Sequence, residues 1–599
     1  MKYIRQILIP FIIILLYGCD RPSSADITVL YTSDVYGFIF PYDLQTDSTN
    51  NGCQASFATL VDEQRAINGD YMLVLDNGNK CVGSAVNTYF NFIDTISEPV
   101  YFKAERMIGY DATGVGVRDL EVSETINPTR HDESSCPPRV CANIINKHTG
   151  KPHFTPYFTK DINGIKVAVL PMTSPNIVGI PQEERENIYI EDMVECAQKW
   201  VKVIREKVNP DVLIGMFCCN SNYKKDNTNI DSNKNPNGGI PAAIKVAGFD
   251  LILLGDAESG EESIWTINNY NGDNITVIQL AQGCSTAGQA RIHLDKDPKT
   301  NRYTKRVFAT IVELDSYEPK ADISENCKAE FDSVYKWFNK PIGYLVDDLY
   351  GDKSMYGPDY YRNLIHNIQL YYTKADVSMS SALLAGDTIK AGPMSMKRIY
   401  GLYPFENQLY TVRMSGQDII NYLEWGFSNQ YETMTHENAP LLKLKRDTKG
   451  HIIYREDGRP YLNSNPNIYT CAAGISYTVD LTKPEFHRVR IDSFCDGRRF
   501  CPKQTYTVAL NSYQIGDGGY YISKGLRWDN ATLEQNTIPT QNNNIRLYIG
   551  KYFQMKKKVG LEFRRDWMPS PEKWFRTARH REEKELHPVW NGNNTPEQD

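Results

Sequence analysis

The chain has 599 residues, 41% of them hydrophobic and 23% charged, with a formal net charge of −7. At roughly 100–200 residues per domain, that length demands at least two cores, and the composition is that of a globular protein rather than a disordered or fibrous one. The acidic balance argues against a groove for a nucleic-acid duplex, while leaving room for local basic pockets that take one small anion.

At the amino terminus, Lys2 and Arg5 precede the apolar run ILIPFIIILL, which is too short to span a bilayer. The run closes on Leu16-Tyr17-Gly18-Cys19, which resembles the lipobox of bacterial lipoproteins. That resemblance implies a signal peptide over 1–19, lipidation of Cys19 and a chain held at a membrane of the bacterial cell envelope. The alternative is a plain secretory signal whose cysteine is incidental. Twelve further cysteines, at 53, 81, 136, 141, 196, 218, 219, 284, 327, 471, 495 and 501, permit disulfides in an exported protein. The closest spacings are Cys136 with Cys141 and Cys495 with Cys501, although spacing alone does not settle any pairing.

A short tether, 20–25, leads into short aliphatic runs with polar carboxyl ends: ITVLYTSD, YMLVLDNGN, GIKVAVLPM, DVLIGMFCC and GFDLILLGDAESG. Amphipathic stretches such as QASFATLVDEQRAI and MVECAQKWVKVIREKV lie between them. This alternation predicts an α/β domain over 26–320, with a layered sheet core and its functional loops gathered at one edge. KADISENCKAEFDSVYKWFNK then predicts a linking helix within 321–344, and a second α/β region follows over 345–555. Residues 556–599 are rich in charge and Trp without steady periodicity, and are expected to be a solvated extension packed by Trp567 and Trp574.

Taken together, the strand ends resemble the exported 5′-nucleotidase and 2′,3′-cyclic-nucleotide 2′-phosphodiesterase family. In the carboxyl-terminal half, AGPMSMKRIYGLYPFENQLYTVRMSGQDIINYLEW, AAGISYTVDLTKP and YTVALNSYQIGDGGYY carry the likeness. The resemblance implies a metallophosphoesterase-like β-sandwich flanked by helices, a linking helix and a nucleotide-binding α/β domain, with the active site between the two. It further implies that Phe405 and Tyr513 clamp a nucleotide base, with Asn407 and Asp517 as polar neighbours. Two rings around a flat base supply about 1–3 kcal/mol per base. SSALLAGD lacks the Asn-Gly-Gly-x-Arg of 5′-nucleotidases, so the cyclic-phosphodiesterase branch is the nearer resemblance.

The amino-terminal half keeps the family's frame and departs from its chemistry. The family's Asp-x-His-Gly reads TSDVYG here, with Asp34 kept and Tyr36 in place of His. Asp-x-Gly-Asp reads DNGN, so Asn79 stands where the bridging Asp would be. In DATGVGVRDLE, Val117 replaces a ligand Asn and Arg118 the catalytic His. LIGMFCCN offers Cys218 for a His, and GDAE offers Asp256 and Glu258.

Two-metal phosphoester chemistry needs paired cations and a polarised water, and valine and arginine cannot hold them. Three arrangements remain open. Asp34, Asn79, Asp256 and Glu258 could form an oxygen site for Mg²⁺, Ca²⁺ or Mn²⁺. Arg118 could supply the missing positive charge and grip a phosphate. Or Arg118 could fill the vacated site through a salt bridge to Asp34 or Asp256. The functional expectation is therefore a nucleotide-binding member with lost or reduced hydrolysis. The alternatives are an active nucleotide hydrolase with a recast metal site, or a non-enzymatic scaffold.

Overall fold

The computed structural model describes residues 21–126, 128–175, 180–221, 238–257, 261–384, 388–455, 460–538 and 544–586. Cys19 and Glu258 lie outside the described residues. Among the described residues, no helix is long and apolar enough to cross a membrane.

Two six-stranded sheets face each other in the amino-terminal half. The first runs in the order Tyr303–Glu313, Thr286–Lys296, Ser24–Thr32, Met72–Asp76, Ala112–Gly114, Arg139–Val140. The second runs Ser263–Asn268, Asn274–Ala281, Leu251–Ala257, Val212–Cys218, Ile165–Thr173, Phe158–Ile162. Side-chain alternation sorts the apolar residues between layers. Ile27, Val29 and Tyr31 enter the core between the sheets, whereas Leu30 joins the cluster beneath helix Gln54–Asn68. In the second sheet Leu251 and Leu253 face inward, while Ile252 and Leu254 meet helices Met193–Lys207 and Gly239–Lys245. The Tyr31 hydroxyl crosses the sandwich and donates to the carbonyls of Leu254 and Ile278 at 3.1 and 3.0 Å, stitching the two sheets together.

The central strands of both sheets pair in parallel, so their carboxyl ends emerge on one side. That edge delivers the loops bearing Asp34, Asn79, Arg118, Cys218 and Asp256. The expected single linking helix is two, Ala321–Asn326 and Lys328–Asn339, interrupted where Cys327 leaves helical geometry at φ −102° and ψ 14°.

The carboxyl-terminal half carries a five-stranded sheet in the order Thr470–Ala473, Val377–Ser381, Thr505–Asn511, Leu409–Ser415, Thr537–Ile538. Helices Tyr360–Thr373 and Gly416–Gln430 pack on it, the second held by a capping box between Ser415 and Asp418.

The charged tail departs from its expected solvated state as far as it is described. Trp567–Ser570 adds a parallel strand to Ile475–Asp480, and helix Glu572–Leu586 follows. Glu582, 5% exposed, accepts the amides of Leu441 and Leu442 at 2.6 and 3.0 Å. The twelve cysteines of the described chain are all free thiols, so neither short-spaced pair is bridged. Cys136 instead accepts from Arg106 at 3.3 Å, and the Cys141 thiol donates to Asn143 at 3.4 Å.

Candidate functional site

The sheet edge assembles a closed polar cluster. Asp34 is fully buried, with Oδ2 accepting from Ser33 Oγ at 2.6 Å and the Asp256 amide at 2.8 Å. Its Oδ1 accepts from Asn79 Nδ2 at 2.7 Å. The other end of the Asn79 amide accepts the backbone N–H of Arg118 at 3.0 Å. That N–H can only donate, so Asn79 must present its oxygen there and its nitrogen to Asp34. Burial, reinforced by the neighbouring Asp256 carboxylate, pushes Asp34 up to about 7. Asp256 is also raised, chiefly by burial, although Gln282 donates to its Oδ1 at 2.7 Å.

The backbone retains the shape of a site. Asp34, Tyr36, Asn79 and Asp256 all sit in the left-handed region, with φ between 47° and 59°. Asn and Asp tolerate that conformation; for Tyr36 it is strain held in place by its surroundings. Glycine is required at Gly116, where a Cβ would lie 2.1 Å from Asn79 Oδ1. It is equally required at Gly255, where one would lie 2.1 Å from Asp34 Oδ2.

Asp119 is the residue the sequence reading passed over. Its buried carboxylate gathers the amides of Asn79, Lys80, Cys81 and Gly116 at 2.7–2.9 Å, clamping the DNGN loop to the GVGVRD loop. An acidic residue just beyond a glycine-rich loop is a cue for such capping. Beneath it, the buried Lys80 ammonium pairs with Glu105 at 2.5 Å and lies 3.8 Å from Asp76, whose carboxyl burial pushes up to about 7.

Arg118 does not form the expected salt bridge with Asp34 or Asp256. Its guanidinium lies over the Tyr36 ring, 5.1 Å from the centroid, and 3.5 Å from Glu121. Burial works against its charge, but Glu121, Tyr36 and Glu406 outweigh that and hold it protonated. Glu121 in turn accepts from Gln408 Nε2 of the other half at 3.3 Å. Arg118 thus faces the interface between the halves, with carboxylates already beside it.

These donors do not fit a dimetal centre. Each end of the Asn79 amide is already hydrogen-bonded, and the end turned to Asp34 is the amide nitrogen, which cannot ligate a cation. Among the described residues, no three His, Cys, Asp or Glu side chains converge as a metal-binding group. Cys218, placed where a histidine ligand is expected, is a buried thiol whose pKa burial drives well upward, so it stays neutral.

In the second half, Phe405 and Tyr513 are 43% and 48% exposed. Their loops lie side by side because Ser512 Oγ donates to Asn407 Oδ1 at 3.1 Å and accepts the Gln408 amide at 3.1 Å. Gly518 makes room for the Tyr513 ring, which a Cβ there would meet at 2.4 Å. Asn407 and Asp517, expected as polar neighbours of the base, have structural tasks. Asn407 is buried and also donates to the Tyr403 hydroxyl at 3.3 Å. Asp517 accepts the amides of Ile522 and Ser523, each at 2.9 Å.

Comparison with known proteins agrees with this architecture. Residues 342–524 match the model of the 5′-nucleotidase C-terminal domain. A 5′-nucleotidase of Vibrio cholerae is 24% identical over 473 residues, covering 70% of this chain and 80% of that protein. A 2′,3′-cyclic-nucleotide 2′-phosphodiesterase/3′-nucleotidase of Salmonella typhimurium is 22% identical over 553 residues, covering 83% and 82%. Among solved structures, a Staphylococcus aureus protein assigned as a 5′-nucleotidase superposes with a TM-score of 0.65 at 17% identity, covering 91% of this chain and all of that one. A Thermus thermophilus 5′-nucleotidase precursor gives 0.54 at 17% identity, covering 92% of this chain and all of that one. The chain thus carries a 5′-nucleotidase C-terminal domain behind a helix-flanked sandwich, shares its fold with solved 5′-nucleotidase structures, and is similar in sequence to 5′-nucleotidases and 2′,3′-cyclic-nucleotide 2′-phosphodiesterases.

Proposed function

We propose that this chain binds a nucleotide or a related ligand between its two halves and has lost, or greatly reduced, the hydrolysis of its family. The observation that carries this reading is the Asn79 amide, hydrogen-bonded at once to Asp34 and to the Arg118 backbone. Those bonds turn the amide nitrogen, which cannot hold a cation, toward Asp34. The exposed rings of Phe405 and Tyr513, on loops joined through Asn407 and Ser512, support retained ligand binding. A bacterial envelope location, with the chain lipid-anchored through Cys19, belongs to the same proposal and rests on the lipobox-like LYGC.

The test is to assay the purified chain against 5′-AMP and 2′,3′-cyclic AMP with Mg²⁺, Ca²⁺ and Mn²⁺, while following nucleotide binding by calorimetry. Expected are binding without appreciable turnover, and a loss of affinity of about 5- to 150-fold on Phe405→Ala or Tyr513→Ala, the equivalent of about 1–3 kcal/mol of stacking. Turnover at ordinary enzyme rates, abolished by Asp34→Ala, would overturn the reading. It would favour the second one, an active hydrolase, which the activities of the relatives suggest. Absence of any nucleotide binding would point instead to a scaffold.

A further inference from the structure

The edge of the sandwich opposite the Asp34 cluster, where the strands begin, grips the chain as it enters the fold. The Arg21 guanidinium pairs with Asp211, its Nε donates to the Gly164 carbonyl at 3.2 Å, and it lies 5.2 Å from the centroid of the Tyr303 ring. The Tyr303 hydroxyl donates to the Pro22 carbonyl at 2.7 Å, and the Lys296 amide to the Ser23 carbonyl at 2.8 Å. Strand Ser24–Thr32 follows at once. From Arg21 onward the chain is therefore held, by groups flanking strands of both sheets.

Four turns share this edge. In the second sheet Ile214, Leu251 and Thr276 stand level, as do Val212 and Val167. Turns 163–164, 209–211 and 269–272, which precede those strands, therefore come out together. In the first sheet Ser24 pairs with Asp295, so turn 297–302 emerges beside Arg21. Tyr270, in turn 269–272, is 72% exposed. Lys299 and Arg302 are exposed in turn 297–302, whose own Asp297 carboxylate accepts the amides of Lys299 and Thr300 at 2.7 and 3.4 Å.

One residue, Asp20, separates Arg21 from Cys19. Two Cα steps span at most about 7 Å. A lipid on Cys19 is buried in a bilayer, so a body held at Arg21 cannot stand clear of the headgroups. We infer that the strand-start edge is a membrane-docking surface seated on phospholipid headgroups. This assignment rests on the lipid anchor of the proposed function. A tyrosine suits the interfacial layer, and Lys299 and Arg302 suit lipid phosphates. Strand Ser24–Thr32 has nine residues, which at about 3.3 Å each puts the Asp34–Asn79–Arg118 cluster about 30 Å along the strand direction from the docked edge. The cleft between the halves then stands on the side away from the bilayer, where a water-soluble ligand arrives.

The test uses the chain purified from the membranes of an expressing bacterium and reconstituted on vesicles of phosphatidylethanolamine and phosphatidylglycerol. It is compared with a variant carrying about 20 Gly and Ser residues between Asp20 and Arg21, a flexible spacer that reaches about 25 Å. Both are treated with a membrane-impermeant amine-acylating reagent, and peptide mass spectrometry reads the lipid on Cys19 and the reaction rate at each lysine. Lys299 is expected to react severalfold more slowly in the native chain than in the spacer variant. Lys449, exposed in the second half, is expected to react at the same rate in both. A chain without lipid on Cys19 would remove the anchor and the docking surface together. A lipidated chain whose Lys299 reacts equally fast with and without the spacer would overturn the docking surface and leave the anchor standing. Equal slowing of Lys449 would do the same, because the bilayer would then cover the second half as well.

Discussion

Replacing Asp34 by Asn is expected to stabilise the protein at pH 8 and not at pH 4. The carboxyl is fully buried, and its burial, helped by Asp256, moves it from the ordinary 3.8 to about 7. At about 1.4 kcal/mol per unit, that shift amounts to at most about 4 kcal/mol. The folded pKa is the higher one, so the folded chain holds a proton that the unfolded chain has released. Stability attributable to this group therefore falls as pH climbs from about 4 to about 7, and is level above that.

Asparagine cannot ionise and escapes the penalty. Its oxygen can still accept from Ser33 and the Asp256 amide, but its NH₂ then meets Asn79 Nδ2, which now donates to Asp34 Oδ1 at 2.7 Å. One mismatched contact costs about 1 kcal/mol. The balance is a gain of up to about 3 kcal/mol at pH 8 and a loss of about 1 kcal/mol at pH 4. Urea denaturation followed by tryptophan fluorescence at both pH values reads the difference. A variant destabilised as much at pH 8 as at pH 4 would refute the reasoning, because it would mean that a cation balances the Asp34 charge in the native protein.

Asp119→Ala should destabilise the chain by about 4 kcal/mol in the same assay, because four buried amides lose their acceptor. Lys80→Met should cost about 3–5 kcal/mol, since it leaves the buried Glu105 and Asp76 uncompensated; adding Glu105→Leu should restore most of the loss if the pairing is the cause. Glu582→Ala should cost about 2 kcal/mol and speed hydrogen exchange at the Leu441 and Leu442 amides. Unchanged exchange there would mean that the tail helix does not hold that segment.

The sequence by itself determined the layered α/β architecture and the edge at which the site loops gather. These are local properties. Period-two alternation sets which residues of Ser24–Thr32 face the opposite sheet and which face the helix layer, and a strand's polar carboxyl end marks its loop within a few residues. Only the tertiary structure decided how the polar atoms around Asp34 and Asn79 satisfy one another. Asn79 is oriented by an amide 39 residues away, and Asp34 is capped by one 222 residues away. No spacing rule reports such long-range choices, because each depends on where a donor lands once the sandwich has closed. Arg118 is the opposite case, because its partner Glu121 stands three residues on; only the contact of Glu121 with Gln408 of the second half is long-range. The charged tail shows the limit from the other side. Its strand, Trp567–Ser570, is specified by Ile475–Asp480 as a pairing partner, and so it has little periodicity of its own to read.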